Sequence, residues 1–193
     1  MDTTLREELL AMQAEDRRVR EELTKEGTLA QGYEPRMEAV HRRNAERLEA
    51  IVGERGWPGR SLVGEDGAEA AWQTLQHAIG RPDLMRGFLP LLQQAADHGE
   101  VPEWQPAYIL DRIRFFEGRP QVYGTQYDID AEGFSSLWPV EDSESVNERR
   151  KKVGLPPLSQ NSRSRLHEPL SPEQRKARRE GAEAWARAVG WRD

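Results

Sequence analysis

The chain has 193 residues, a formal net charge of −6 and no cysteine. That length fits one domain plus a tail or small subdomain. The missing thiols exclude disulfides, thiolate metal sites and cysteine nucleophiles, and the acidic total argues against nucleic acid as a main partner, because phosphate is met by a basic surface.

A first helix is predicted over residues 2–26. Leu5, Leu9, Met12, Val19 and Leu23 recur at steps of three and four, and the slot skipped between Met12 and Val19 is Asp16. Asp16 therefore lies on the apolar stripe, with Arg20 one turn later. Two readings are open: an Asp16–Arg20 pair on a partly wet face, or a carboxylate aimed at an internal pocket. Gly27 and Gly32 bracket a loop, and Pro35 opens a second helix reaching about Arg55. Its inner stripe is Met37, Val40, Leu48 and Ile51, with Asn44 in the middle slot. A buried amide needs partners for its donor and its acceptor, so Asn44 is a structural clamp or a site-facing group.

Residues 53–67 are predicted as a loop containing Gly56-Trp57-Pro58 and Val63-Gly64, since a residue before proline is biased away from helix. A central helix is expected from about Asp66 to Ile79. Its core, Ala70-Ala71-Trp72-Gln73-Thr74-Leu75-Gln76-His77-Ala78-Ile79, carries no charge in a chain that is 32% charged. A helix with no charged face is buried on all sides, which takes His77 out of bulk solvent. Pro82 starts a further helix toward His98, with a kink or a split expected at Pro90. The next helix is expected from Pro106 to about Glu117, interrupted on its apolar sides by Asp111 and Arg112.

Residues 121–127, Gln-Val-Tyr-Gly-Thr-Gln-Tyr, have the β-branched and aromatic content of an extended segment, and Gly124 marks a bend or a close backbone approach. Residues 134–140 are the predicted pairing strand. A helix follows from about Ser143 to Val153, with Asp142 as cap and Gly154 as stop. Residues 155–170 are rich in Pro, Ser and Asn and are expected to be a linker. Ser171-Pro172-Glu173-Gln174 is a helix-start signature for a charged terminal helix, whose large anchors are Trp185 and Trp191. The expected architecture is mainly α. It is a single helical domain (1–158) with a small two-stranded element, followed by a linker and charged C-terminal helix (159–193).

Residues 1–5 lack the basic and apolar regions of a signal peptide, and no apolar run approaches the roughly 20 residues of a membrane span. A cytoplasmic protein without a membrane partner is expected. Walker, dinucleotide-binding, nucleophile-elbow and zincin motifs are absent from the sequence. The four histidines, His41, His77, His98 and His167, lack metal-ligand spacing, so no structural metal and no cofactor is expected. A mixed site of His77 with carboxylates stays open.

What remains is a polar constellation: Asp16, Arg20, Asn44, His77, Asp111, Arg112, Tyr123, Thr125 and Gln126. Burying so many polar groups costs free energy unless they satisfy one another or hold a ligand. His77 alone among them titrates near neutrality, which suits a proton shuttle. The catalytic candidates are His77, Asp111 as its orienting group, and Tyr123. Arg112 suits bidentate capture of an anion, with Gln126, Thr125, Asn44, Asp16 and Arg20 as further binding residues. The bland alternative is that His77 is a satisfied core histidine and the Asp111–Arg112 neighbours make capping and ion-pair contacts.

In order along the chain, Gly56-Trp57-Pro58, Val63-Gly64, Gln76-His77-Ala78, Asp111-Arg112, Gln121-x-Tyr123-Gly124-Thr125-Gln126, Val146-x-x-Arg149-Arg150 and Gly154-Leu155-x-x-Leu158 resemble a bacterial domain-of-unknown-function family. The resemblance covers roughly residues 5–160. It implies that the polar constellation is shared by the fold, and it implies no particular reaction. The family's Asp-Gln pair near the first helix is matched here only by Asp16, because Arg17 follows it. The leading expectation is a cofactor-independent enzyme acting on a small polar or anionic molecule. The alternatives are an immunity or regulatory interaction protein, dimerising or docking through residues 171–191, and a small-ligand sensor without catalysis.

Overall fold

The computed structural model describes residues 1–29, 32–130, 132–158, 169 and 171–193. These contain seven helices and two short strands, and they form two compact units, Met1–Pro106 and Ala107–Asp193. Most of the predicted linker, and His167 with it, lies outside the described residues.

In the first unit, α1 spans Thr3–Glu26, α2 spans Pro35–Arg55 and α3 spans Arg60–His77. Helix α1 begins where the Asp2 carboxylate accepts the Leu5 N–H at 3.0 Å and ends at left-handed Gly27. Its buried stripe is Leu5, Leu9, Met12, Asp16, Val19 and Leu23, with the carboxylate in the predicted slot. Helix α2 opens at Pro35 with the Glu34 side chain accepting the N–H groups of Arg36 and Met37. It buries His41 beside Asn44. The three helices pack against one another. Leu9, Leu23, Leu48, Ile51 and Leu75 are among the largest fully buried side chains, each stabilising the fold by about 1.5–3 kcal/mol.

Helix α3 starts six residues ahead of the expected Asp66. Gly64 interrupts it with φ 77° and ψ 169°, so an opening turn precedes the helix proper. Glu100 holds that turn from outside: its carboxylate accepts from Ser61 N at 2.9 Å and Ser61 Oγ at 2.6 Å. The uncharged stretch is buried almost throughout, as its composition requires. Helix α4 (Pro82–Asp97) runs through Pro90 as one helix instead of dividing there. Helix α5 spans Trp104–Phe116, and the Trp72 indole donates to the Gln105 carbonyl at 3.2 Å.

In the second unit, β1 (Tyr127–Ile129) pairs antiparallel with β2 (Ser135–Leu137), Tyr127 opposite Leu137 and Ile129 opposite Ser135. The second predicted strand is present in shortened form. The first is displaced: residues 121–126 form a loop, bridged in parallel from Gln121 to Val140 and joined at its end by the Trp138 N–H donating to Gln126 O at 3.1 Å. The reason is that Asp111 takes the N–H groups of Val122, Tyr123 and Thr125, which are the donors a strand would use. Helix α6 spans Val146–Lys152 with Ser145, not Asp142, at the N-cap position and no side-chain capping bond there; Asp142 has φ 45°. Helix α7 (Pro172–Ala188) opens with the predicted capping box of Ser171 and Gln174. Its anchors find partners inside the unit: Trp191 stacks on Phe116 at 5.3 Å between ring centroids, and Trp185 meets the same ring edge-on at 5.5 Å. No helix among the described residues is long and apolar enough to cross a membrane.

Candidate functional site

Three helices of the first unit bring one carboxylate and two imidazoles together. Asp16 comes from the buried stripe of α1, His41 from that of α2, and His77 is the last residue of α3. His77 Nδ1 donates to Asp16 Oδ2 at 2.8 Å. His41 Nε2 lies 2.9 Å from the same oxygen but out of line for a hydrogen bond. The Tyr33 hydroxyl is 2.7 Å from His41 Nδ1, and the imidazole centroids stand 5.0 Å apart. Arg20 Nη2 lies 3.5 Å from Asp16 Oδ1. Asn44 donates to the Met12 carbonyl at 3.3 Å, so of its two readings the clamp is the contact seen. It ties α2 to the turn of α1 that carries Asp16.

The cluster grades from dry to accessible. The His41 side chain is 6% exposed and that of Asp16 10%, whereas His77 keeps 26% of its side chain accessible. His77 is therefore the member of the cluster most open to solvent. Burial pushes the Asp16 carboxyl up, but the two imidazoles set against it, His77 by a hydrogen bond and His41 at close range, outweigh that and hold the group well below the usual carboxylate range. Burial also dominates at His77, lowering its pKa despite the opposing pull of Asp16. The result near neutrality is an ionised aspartate accepting from a neutral imidazole. With the proton on Nδ1, His77 Nε2 carries the lone pair. The donor atoms of Asp16, His41 and His77 all lie within 4.8 Å of one another, close enough to share a metal ion.

The other sequence candidates lie in the second unit, where they build a loop. Asp111 is fully buried. Its carboxylate accepts from Val122 N at 2.7 Å, Tyr123 N at 3.1 Å, Thr125 N at 3.1 Å and Thr125 Oγ1 at 3.0 Å. Arginines hold the carbonyls of the same loop: Arg149 Nε donates to Val122 O at 2.9 Å and Arg150 Nη1 to Tyr123 O at 2.6 Å. Gln121, also fully buried, donates to Gln126 O and Trp138 O and accepts from Gln126 N. Gln126 Nε2 bonds to Thr125 Oγ1 at 3.0 Å. Tyr123 and Arg112 are half-buried. The Tyr123 hydroxyl is pushed up by burial and by the Asp111 charge.

The carboxylate that orients His77 is thus Asp16, and Asp111 organises the loop at 121–126. Of the nine candidates, Asp16, Arg20, Asn44 and His77 belong to the first unit; Asp111, Arg112, Tyr123, Thr125 and Gln126 belong to the second. Two members of the centre went unpredicted. His41 follows Met37 by four residues and precedes Asn44 by three, so the periodicity that singles out Asn44 also covers it. Tyr33 sits in the loop before Pro35 and carries no periodic signal.

Fold and site together define a mainly helical protein with a histidine–aspartate centre enclosed by three helices. The chain belongs to the family of unknown function DUF6624, which matches residues 3–169. No curated protein and no solved structure matches it.

Proposed function

We propose that this protein is an enzyme acting on a small polar or anionic molecule by acid–base chemistry centred on His77. The observation that carries this reading is the 2.8 Å bond from His77 Nδ1 to Asp16 Oδ2. A carboxylate on one imidazole nitrogen fixes the tautomer and stabilises the imidazolium that forms when the other nitrogen takes a proton. In this reading His77 Nε2 abstracts a proton and returns it later in the cycle. Asp16 holds the ring, His41 stands against the same carboxylate oxygen with Tyr33 on its far side, and Arg20 supplies positive charge beside it. Arg112 and the catalytic candidate Tyr123 belong to the second unit and are given no part at this centre. Thr125, Gln126 and Asp111 act as braces of the loop that carries Tyr123.

The docking alternative rests on the acidic total and on the charged terminal helix with Trp185 and Trp191, and both indoles have a packing partner in Phe116. That favours the enzymatic reading. The test is a reaction screen over phosphorylated and carboxylated small molecules, comparing the native chain with His77→Gln. The expected result is a turnover present in the first and lost in the second, with thermal stability within about 1–2 kcal/mol. A turnover of the native chain that survives in His77→Gln overturns the assignment.

A further inference from the structure

We infer that Asp16, His41 and His77 form a binding site for one divalent transition-metal ion of the zinc type. This goes beyond the acid–base reading and departs from the cofactor-free expectation of the sequence. Two imidazoles and one carboxylate are a ligand set that first-row ions accept, whereas magnesium and calcium prefer all-oxygen sites.

The three donors are already gathered at one point. The nitrogens of His77 and His41 stand 2.8 and 2.9 Å from Asp16 Oδ2, and the three donors lie within 4.8 Å of one another. Bonds of about 2.0–2.1 Å in a tetrahedral site separate neighbouring donors by about 3.3 Å. The two imidazole–carboxylate separations therefore need to open by only about half an ångström.

Two further observations point to an ion. His41 is buried, and its Nε2 has no aligned hydrogen bond to the described residues although it faces the carboxylate at 2.9 Å. Buried polar atoms in folded proteins have partners, and an ion between the three donors would give this nitrogen one. The far side of the same ring is already tied: Tyr33 OH sits 2.7 Å from His41 Nδ1. An outer partner on the second ring nitrogen is what fixes tautomer and orientation in metal-bound histidines. Arg20 opposes a cation, but it meets the other carboxylate oxygen at 3.5 Å and its side chain is 39% exposed, so water and salt screen it.

Three protein donors leave at least one coordination position for water or a substrate oxygen. A proton and an ion exclude each other between His77 Nδ1 and Asp16 Oδ2. With the ion bound, His77 is a ligand and no longer the base.

The experiment is a Co2+ titration of the chelator-stripped full chain, read by visible ligand-field absorption and by melting temperature. One Co2+ per chain is expected, with a melting temperature that rises with ion concentration. Affinity should fall by more than about 100-fold in Asp16→Asn and in His41→Gln. His98→Gln, at an exposed histidine outside the cluster, should bind as the native chain does. Where one ligand variant fails to fold by circular dichroism, the other decides. A native chain that takes up no Co2+, or ligand variants that match it, overturns the site. Turnover retained in the stripped protein without Co2+ uptake leaves the acid–base reading standing alone. Uptake together with turnover that survives His77→Gln sinks that reading and leaves the ion site.

Discussion

His77 and Asp16 are 61 residues apart in sequence and 2.8 Å apart in space. Each looks like an error of patterning when its own helix is viewed alone: a carboxylate on an apolar stripe, an imidazole in an uncharged run. Together they satisfy each other. The packing of α1 against α3 brings each to the other.

Asp16→Asn separates charge from shape. Asparagine fills the same volume but loses the anion, and its NH2 group faces imidazole N–H donors. Turnover should drop by about 10²–10⁴-fold, the usual range for a lost acid–base contribution. Stability should fall by about 1–3 kcal/mol, because buried donors lose a charged acceptor. Steady-state kinetics and thermal melts measure the two effects. Nitrogen chemical shifts of His77 should show the proton leaving Nδ1. Unchanged shifts would mean that Asp16 does not set the tautomer.

Asp111 should behave in the opposite way. Asp111→Ala strips the acceptor from three backbone N–H groups and a hydroxyl at 122–125. A loss of about 2–5 kcal/mol is expected, because breaking a buried charged network leaves each donor unpaired. Hydrogen exchange at Val122, Tyr123 and Thr125 should accelerate well beyond that at Leu9 or Leu75. Unchanged exchange at those three amides, with turnover lost, would return Asp111 to a catalytic role.

How much of this was legible follows from what periodicity encodes. The helices of the first unit follow from apolar spacing and caps, and Asp16, Asn44 and His77 stand out because each breaks a pattern that is otherwise complete. His41 was missed although the same spacing covers it, since Val40 beside it already fills the apolar slot. The partner of His77 was misassigned because spacing places a residue on a face and says nothing of which distant carboxylate meets it. The β-branched and aromatic residues of 121–126 favour extension and so predict a strand. That local preference loses to a buried carboxylate that claims the backbone donors. Glu100 holding the start of α3 from 39 residues away carries no local signal at all.

Gly124 combines two constraints. Its φ is +70°, and a Cβ there would stand 3.0 Å from the Leu158 methyl carbons. Gly124→Ala should therefore cost about 1–3 kcal/mol, from left-handed backbone and from overpacking. Adding Leu158→Ala opens the space but leaves the backbone strain. In a double-mutant cycle the pair should recover part of the loss. Full additivity of the two single changes would show that Leu158 does not press on this position.

Glu100 gives the first unit a defined acid sensitivity. Hydrogen bonds from the Ser61 hydroxyl and N–H hold its carboxyl below the ordinary glutamate value. A carboxyl depressed in the folded state binds its proton more readily when unfolded. Its contribution is therefore fully present above the unfolded value of about 4.3 and is lost as pH falls through the lower folded value. Glu100→Gln removes this dependence while keeping the side chain's length. The native chain should melt higher than the variant at pH 7, and the gap should narrow steadily below about pH 4.3. Melting curves of both proteins across that range measure the gap. A difference that stays constant down to pH 3 would mean that the Ser61 contacts do not favour the ionised form.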